Sequence, residues 1–375
     1  MSRIKKFIPQ PLVNLYHAAK AIFALIYYQF PGRKLQVIAV TGTDGKTTTS
    51  TLIYHLLKES DYKVALISTV AAYIGNEELD TGFHVTSPDP WQLQHIISKI
   101  EKQGFTHLVL EATSHGLAQY RLLGVPIHTA VVTNITHEHL DYHKTYSKYL
   151  AAKAKLFSHA QIAILNKDDS SHSLLKPLVN SRAQILEYDK TTFSGKLRVD
   201  INTRFPEAYN QLNASAAILA VKPFNLSEKK LGNAIKSFPG IPGRMELVSS
   251  QNNIQAIVDF AHTPNALKQA LIALRTKTNK RLIAVFGAAG LRDFQKRPLM
   301  GEIAAKLADE VILTTEDPRT EPPWLIIDQI MTGVQNNYGH IHKIIDRQAA
   351  INFAITLAQP GDIVAVFGKG HEKSM

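Results

Sequence analysis

The chain has 375 residues, 45% of them hydrophobic and 19% charged, and no cysteine. That composition excludes a disordered chain, a disulfide scaffold, thiolate metal sites and a cysteine nucleophile, and the length calls for two folded domains. The net charge is +11, and its lysines and arginines are spread along the chain without a long basic block or an aromatic-interleaved basic signature, so nucleic acid is not an expected partner.

The first 34 residues are read as an amphipathic helical segment. Basic Arg3, Lys5 and Lys6 precede a mostly apolar stretch from Pro11 to Tyr28, which Asn14, His17 and Lys20 interrupt. These interruptions make a poor membrane span, and no small-residue cleavage site follows. Docking on its own domain and peripheral contact with a membrane surface are the two readings of this segment.

Residues 35–241 alternate strand-like apolar runs with helical stretches, the pattern of a mostly parallel sheet with helices on both faces. The expected strands are Gln36–Val40, Lys63–Ser68, His107–Glu111, Thr129–Thr133 and Gln161–Leu165. Helices are expected over Trp91–Lys102, Tyr146–Phe157, Asn210–Val221 and Ser227–Phe238, with short strands or loops over 181–204. Pro239-Gly240-Ile241-Pro242-Gly243 reads as a linker. Beyond it, residues 242–375 restart the alternation as a smaller Rossmann-like α/β domain. Its strands fall at Ile254–Asp259, Arg281–Phe286, Glu310–Thr314, Ile341–Ile345 and Asp362–Phe367. Helices are expected there at Pro264–Thr276, Met300–Ala308, Trp324–Met331 and Arg347–Leu357.

The chemistry begins where the first strand ends. Thr41-Gly42-Thr43-Asp44-Gly45-Lys46-Thr47-Thr48 places a Gly-rich turn between an apolar run and a helix, which is the arrangement of a phosphate-cradling loop. Ala39 and Val40 stand where the first glycine of the common spacing would be sought. Thr43, Asp44, Gly45 and Thr48 would line the phosphates, Lys46 would reach the terminal ones, and the Thr47 hydroxyl would face Mg²⁺. Glu111 closes another strand, where its carboxylate could bind Mg²⁺ or cap a helix. In Thr133-Asn134-Ile135-Thr136-His137-Glu138-His139-Leu140-Asp141-Tyr142-His143 the histidines could suggest zinc. Their spacing does not match His-Glu-x-x-His, and the nearby nucleotide loop favours Mg²⁺ with His139 as the one imidazole ligand. Lys153 and Lys155, two apart on a helix, read from composition as solvated.

These segments resemble the successive motifs of the Mur ligase family. The series continues through Lys153 with Leu156-Phe157, Pro242-Gly243-Arg244-Met245-Glu246, Asp259-Phe260-Ala261-His262-Thr263-Pro264 and Lys296-Arg297-Pro298. It ends with Asp317-Pro318-Arg319 and Gly368-Lys369-Gly370-His371-Glu372, so it spans residues 41–372 in family order. Within the family, the resemblance is to the branch that adds the third amino acid to a UDP-N-acetylmuramoyl dipeptide in peptidoglycan precursor synthesis.

The resemblance implies a cytoplasmic, monomeric, ATP- and Mg²⁺-dependent amide ligase working through an acyl phosphate. Lys46, Glu111, His139 and Lys153 would be its catalytic residues. Thr47, Glu111, His139 and an N-carboxylated Lys153 would hold metal. Asn210 and Asn213 would lie near the adenine, with Arg244, Asp259 and His262 completing nucleotide binding from the second domain. Thr113, Gln119 and Arg121 match positions that contact the acceptor peptide, and Thr86 and Ser87 a loop near its diphosphate. Arg292, Asp317, Arg319, Gly368 and Glu372 would meet the incoming amino acid, and domain closure would accompany catalysis.

The chain also departs from the family pattern. Residues 1–34 are too short for the usual N-terminal UDP-sugar domain, the segment from Phe157 to Asn210 is short, and the chain ends three residues after Glu372. Asp317 stands where the diaminopimelate-adding branch has asparagine, which suits a diamine such as lysine. Gly290-Leu291-Arg292-Asp293 replaces Gly-Asp-Arg-Asp. Two alternatives therefore stay open: a related ligase with a poly-amino-acid or lipid-linked acceptor, and a nucleotide-binding scaffold without catalysis. Joint retention of Lys46, Thr47, Glu111, His139, Lys153 and His262 argues against the second.

Overall fold

A computed structural model describes residues 10–79, 88–334 and 340–370. They form two compact units: one built from the residues up to His137 and from Thr145–Phe238, the other from Glu138–Lys144 and the chain from Pro239 onward.

In chain order the first unit opens with α1 (Gln10–Tyr27), β1 (Gln36–Thr41), α2 (Lys46–Lys58), β2 (Val64–Ile67), β3 (Ala72–Ile74) and β4 (Glu77–Leu79). It continues through α3 (Pro90–Lys102), β5 (His107–Glu111), α4 (Ser114–Ala118) and β6 (Ile127–Val132). The short α5 (Leu140–His143) lies in the segment grouped with the second unit. The first unit resumes with α6 (Tyr146–Ala154), β7 (Ile162–Asn166), α7 (His172–Leu175), β8 (Gln184–Tyr188), α8 (Gly195–Arg204), α9 (Ala208–Ala220) and α10 (Glu228–Ser237).

Its eight-stranded sheet runs β4-β3-β2-β5-β1-β6-β7-β8. All pairs are parallel except those made by the β3–β4 hairpin on one edge. β1 is central and buried on both faces, as its unbroken Val-Ile-Ala-Val run requires of a strand covered by helices on each side. The carboxyl ends of β1, β5 and β6 therefore lie side by side, the place where parallel α/β sheets bind ligands.

The hairpin escapes a reading by periodicity because its strands are three residues long, and a two-residue Gly75-Asn76 turn joins them. Residues 195–204 are a correction. β-branched Val199 and Ile201 suggest strand, but the segment is α8, because Leu197, Asp200 and Ile201 at helical spacing are buried and Asp200 meets Lys236 of α10 at 2.8 Å.

The second unit carries β9 (Glu246–Gln251), β10 (Ile254–Asp259), α11 (Pro264–Arg275), β11 (Leu282–Phe286), α12 (Lys296–Leu307), β12 (Glu310–Leu313), α13 (Pro323–Met331), β13 (His340–Lys343), α14 (Arg347–Leu357) and β14 (Ile363–Phe367). The sheet order is β13-β12-β11-β14-β10-β9, parallel except for edge strand β9. Along β11 the side chains divide by parity. Leu282, Ala284 and Phe286 join the core that includes residues of α11, α12 and α13, while Ile283 and Val285 join that of α14. The helix expected from Met300 starts four residues earlier, at Lys296.

Candidate active site

The loop between β1 and α2 is held by the end of the neighbouring strand β6. The Thr133 hydroxyl donates to the Asp44 carbonyl at 2.6 Å, the Asn134 amide donates to the same oxygen at 3.1 Å, and Asp44 N–H donates to Asn134 Oδ1 at 3.0 Å. Two glycines make this close approach possible. A Cβ on Gly42 (φ 155°) would collide with Thr133, and one on Gly45 (φ 78°) with Asn213 of α9. Thr43 is fastened on another side, its hydroxyl 2.9 Å from that of buried Tyr149 on α6. Thr48 sits half-buried in the first turn of α2. Lys46 folds back, its Nζ donating to the Thr43 carbonyl at 2.7 Å, so the cation stands over the loop and the N-terminus of α2.

Beneath the loop lies Glu111, fully buried at the end of β5. Three donors serve its carboxylate: the Thr47 hydroxyl, 3.2 Å from both oxygens, the Thr69 N–H at 2.9 Å and the Thr69 hydroxyl at 2.8 Å. A buried carboxylate and a hydroxyl at the first turn of a helix are hard oxygen donors, the type that suits Mg²⁺. Lys153 is not solvated, as composition suggested. It is 1% exposed, its Nζ donates to the Gly42 carbonyl at 2.5 Å, and it lies 4.7 Å from the centroid of the Tyr149 ring. The helix α6 points it inward at the same loop that Lys46 and Thr47 follow.

Farther along the first unit, Thr113 caps α4 by accepting from Gly116 N–H at 3.0 Å. Arg121 donates twice to Gln119 Oε1, at 2.9 and 2.7 Å. Asn213 is buried, donates to Asn210 Oδ1 at 3.2 Å and accepts from Thr49. Thr86, Ser87 and Glu372 lie outside the described residues.

In the second unit, His139 has a left-handed backbone (φ 57°) and its Nδ1 is 4.0 Å from Glu138. Glu138 in turn accepts from Lys296 Nζ at 3.2 Å, both side chains about 5% exposed. Thr47, Glu111 and Lys153 belong to the first unit and His139 to the second.

Asp259, at the end of β10, accepts from Met245 N–H at 2.8 Å and Ala261 N–H at 2.9 Å. The Arg244 guanidinium lies 4.4 Å from the centroid of the Phe260 ring, and His262 Nδ1 is 3.0 Å from the Phe260 carbonyl. Gly368 (φ 91°) donates to the Asp259 carbonyl at 3.1 Å, and a Cβ on it would press on the Glu316 carboxylate.

Arg292, Asp317 and Arg319 share one neighbourhood. Arg319, in a left-handed conformation (φ 54°), donates to Asp317 at 3.4 Å. Burial lowers the Arg292 pKa and Arg319 lowers it further, while Asp141, Asp317 and Glu138 oppose the shift.

Sequence reasoning missed what supports these groups: Thr69 and Tyr149 in the first unit, and Lys296 with Glu138 and Arg297 with Glu321 in the second. Arg297, 1% exposed, meets Glu321 through two parallel bonds of 2.6 and 2.9 Å and donates to the Ala289 carbonyl and to Gln329. That pairing holds the Glu321 carboxyl down at about 2. Lys296 and Arg297 stood in the motif series, but nothing in the sequence pointed to their partners Glu138 and Glu321.

A phosphate loop on a parallel sheet, a buried carboxylate–hydroxyl pair beneath it and a second α/β unit rich in guanidinium groups define an ATP-dependent ligase that joins an acid to an amine. Residues 40–221 match the Mur ligase middle domain and residues 243–370 the Mur ligase glutamate ligase domain. UDP-N-acetylmuramoyl-L-alanyl-D-glutamate–2,6-diaminopimelate ligases are similar over nearly the whole chain. That of Trichormus variabilis is 41% identical, over 96% of this chain and 77% of its own. That of Clostridium botulinum is 35% identical, over 94% and 77%. A solved structure of such a ligase, 34% identical, superposes with a TM-score of 0.59 over 90% of this chain and 74% of its own. The bifunctional folylpolyglutamate synthase/dihydrofolate synthase of Yersinia pestis shares the fold at 17% identity, with a TM-score of 0.72 over 97% and 96% of the two chains. The chain belongs to the Mur ligase family, and it is an ATP-dependent ligase that forms C–N bonds.

Proposed function

We propose that the chain joins a diamino acid, diaminopimelate or lysine, to the free carboxylate of a UDP-N-acetylmuramoyl dipeptide in cytoplasmic peptidoglycan precursor synthesis. The observation that carries this reading is the likeness at 35–41% identity to ligases named for that acceptor, together with the Thr47–Glu111 pair and the inward-facing Lys153. The acceptor carboxylate attacks the γ-phosphorus of ATP, ADP leaves, and an acyl phosphate forms. The amine then attacks the activated carbonyl, the C–N bond forms, phosphate leaves and the amine loses a proton.

The chain's own groups divide this work. Lys46 leaves the Thr43 carbonyl for the terminal phosphates and offsets their charge as it shifts in the transition state. Thr47 and Glu111 would hold Mg²⁺, which neutralises phosphate charge when bound, in keeping with structures of bifunctional folylpolyglutamate synthase/dihydrofolate synthase that hold a Mn ion and AMPPNP. His139 would be a further ligand. Lys153 would act as a carbamate, its ammonium replaced by an oxygen-bearing anion. Asn210 and Asn213 would take the adenine, with Arg244, Asp259 and His262 contributing to the nucleotide. Thr113, Gln119 and Arg121 would bind the acceptor peptide, with Thr86 and Ser87 near its diphosphate.

Arg292 and Arg319 would receive the amino acid's carboxylates, with Gly368 and Glu372 beside it. The contact between Asp317 and Arg319 favours lysine as the amine, because Asp317 offers a carboxylate to a distal ammonium. Mass spectrometry of products from UDP-muramoyl dipeptide, ATP and a mixed amino-acid pool tests acceptor and amine together. A single diamino-acid adduct is expected. Phosphate release that does not depend on both substrates would overturn the assignment.

A further inference from the structure

Helix α1 presents an inverted surface. Its solvent-exposed positions are 12, 15, 16, 19, 22, 23, 26 and 27, a stripe at helical spacing, and they carry Leu, Leu, Tyr, Ala, Ile, Phe, Ile and Tyr. Leu15, Tyr16, Phe23 and Tyr27 are each more than 60% exposed. The opposite face is already occupied. Ala21, Ala24 and Leu25 are buried, Lys20 pairs with Asp89 at 3.0 Å, and Tyr28 lies against Trp91 of α3 at 5.6 Å between ring centroids. The helix is thus fixed to the first unit with an unbroken apolar stripe turned outward, which a monomeric soluble protein rarely leaves exposed.

Charge says what covers it. The sequence holds Arg3, Lys5, Lys6, Lys20, Arg33 and Lys34 before its first acidic residue, Asp44, so more than half of the net +11 lies in these residues. Three of the cations precede the helix in the sequence and none interrupts the stripe; Lys20 and Lys34 are already paired with Asp89 and Glu101, so Arg3, Lys5, Lys6 and Arg33 supply the surplus charge. Two copies meeting through this face would bring like charges together, whereas an anionic lipid surface would take both the cations and the apolar stripe. No helix among the described residues is long and apolar enough to cross a membrane, so α1 would lie in the interface plane. The aromatic rings of Tyr16, Phe23 and Tyr27, with Trp91 beside them, suit the headgroup level.

We infer that α1 is an interfacial anchor that lays the ligase on an anionic membrane surface, whatever acceptor the enzyme uses. The test is co-sedimentation of the full chain with vesicles of phosphatidylcholine alone and of phosphatidylcholine with phosphatidylglycerol. Binding to the anionic vesicles only, weakened by salt, is expected. The triple variant Arg3→Ala, Lys5→Ala, Lys6→Ala should bind them roughly 100-fold more weakly. Phe23→Asp with Ile26→Asp should abolish binding while ATP-dependent ligation continues, which shows that the variant is folded. Equal binding to neutral vesicles, no binding to either, or full binding by the Phe23/Ile26 variant would overturn the inference. So would a dimer, detected by sedimentation, that the same variant dissolves.

Discussion

The phosphate loop of the first unit and the arginine-bearing loops of the second unit solve the problem of holding charge in opposite ways. Around residues 42–47 the charged groups are turned inward. Glu111 is fully buried among hydroxyl and N–H donors, Lys153 is closed onto Gly42, and the backbone is locked by Thr133 and Asn134. Around residues 290–321 the proposed amine-binding groups Asp317 and Arg319 are about one-third exposed. The loop is braced by buried Arg297 and half-buried Glu321, whose second oxygen also accepts from Leu291 N–H. Leu291 and Arg319 both have left-handed backbones, which cost energy for side-chain-bearing residues and persist only where the surroundings enforce them. A phosphate chemistry shared by a whole family tolerates one solution, and burial enforces it. If Asp317 and Arg319 select the amine as proposed, their part-exposed side chains on a braced loop leave room for that choice to vary.

If the first region is a single preorganised centre, loss of one inward group should be close to total. Lys153→Ala is expected to lower the rate of phosphate release by at least about 100-fold, the range for removal of one group that organises transition-state charge. Thermal unfolding should show that the variant still folds. Near-full activity would remove Lys153 from the chemistry. The carbamate has a separate readout, because native mass spectrometry in bicarbonate should show the mass of one CO₂ on the wild type and none on this variant.

The brace of the second region should instead show itself in stability. Arg297→Ala removes a donor from the Ala289 carbonyl and from Gln329 and leaves Glu321 with its Leu291 N–H bond, and about 2 kcal/mol should be lost from the second unit. Denaturant titration measures it, and a loss under about 1 kcal/mol would mean that the loop is held by other contacts. The same pair sets an acid limit. Its folded carboxyl sits at about 2 against an ordinary 4.5, so its contribution is fully present above about 4.5 and fades as pH falls from there toward 2. Unfolding free energies across that window should fall more steeply for wild type than for Arg297→Ala.

The two regions also differ in how legible they were. Thr43–Thr48 and Glu111 could be read from the sequence because a strand, a glycine turn and a helix start are contiguous, and period-2 and period-3.6 patterns locate their ends. Lys153 could not be read that way. Its burial depends on α6 packing its inner face beside a loop more than a hundred residues away, and only the family resemblance pointed to it. The Arg297–Glu321 and Lys296–Glu138 pairs were invisible for the same reason: ion pairs 24 and 158 residues apart leave no local pattern. The β-branched residues of α8 misled in the opposite direction, since tertiary packing outweighs a weak local preference.

The smallest expected effect bears most directly on amine choice. In the second region the Asp317 carboxylate touches Arg319 at 3.4 Å. On the proposed reading it offsets part of the Arg319 charge and so would favour a distal ammonium on the amine. Asp317→Asn would then free the guanidinium for a second carboxylate and turn the proposed preference for lysine toward diaminopimelate. Exchange of one solvent-exposed charge–charge contact should move the ratio of kcat/KM for the two amines by about two- to fivefold, chiefly through KM. A steady-state comparison of both amines on wild type and variant reads this directly. If kcat falls for both while the ratio stays fixed, Asp317 shapes the loop and does not sense the amine's distal group, and the contrast between an enforced centre and an adjustable rim would have to be redrawn one residue farther out, at Arg292.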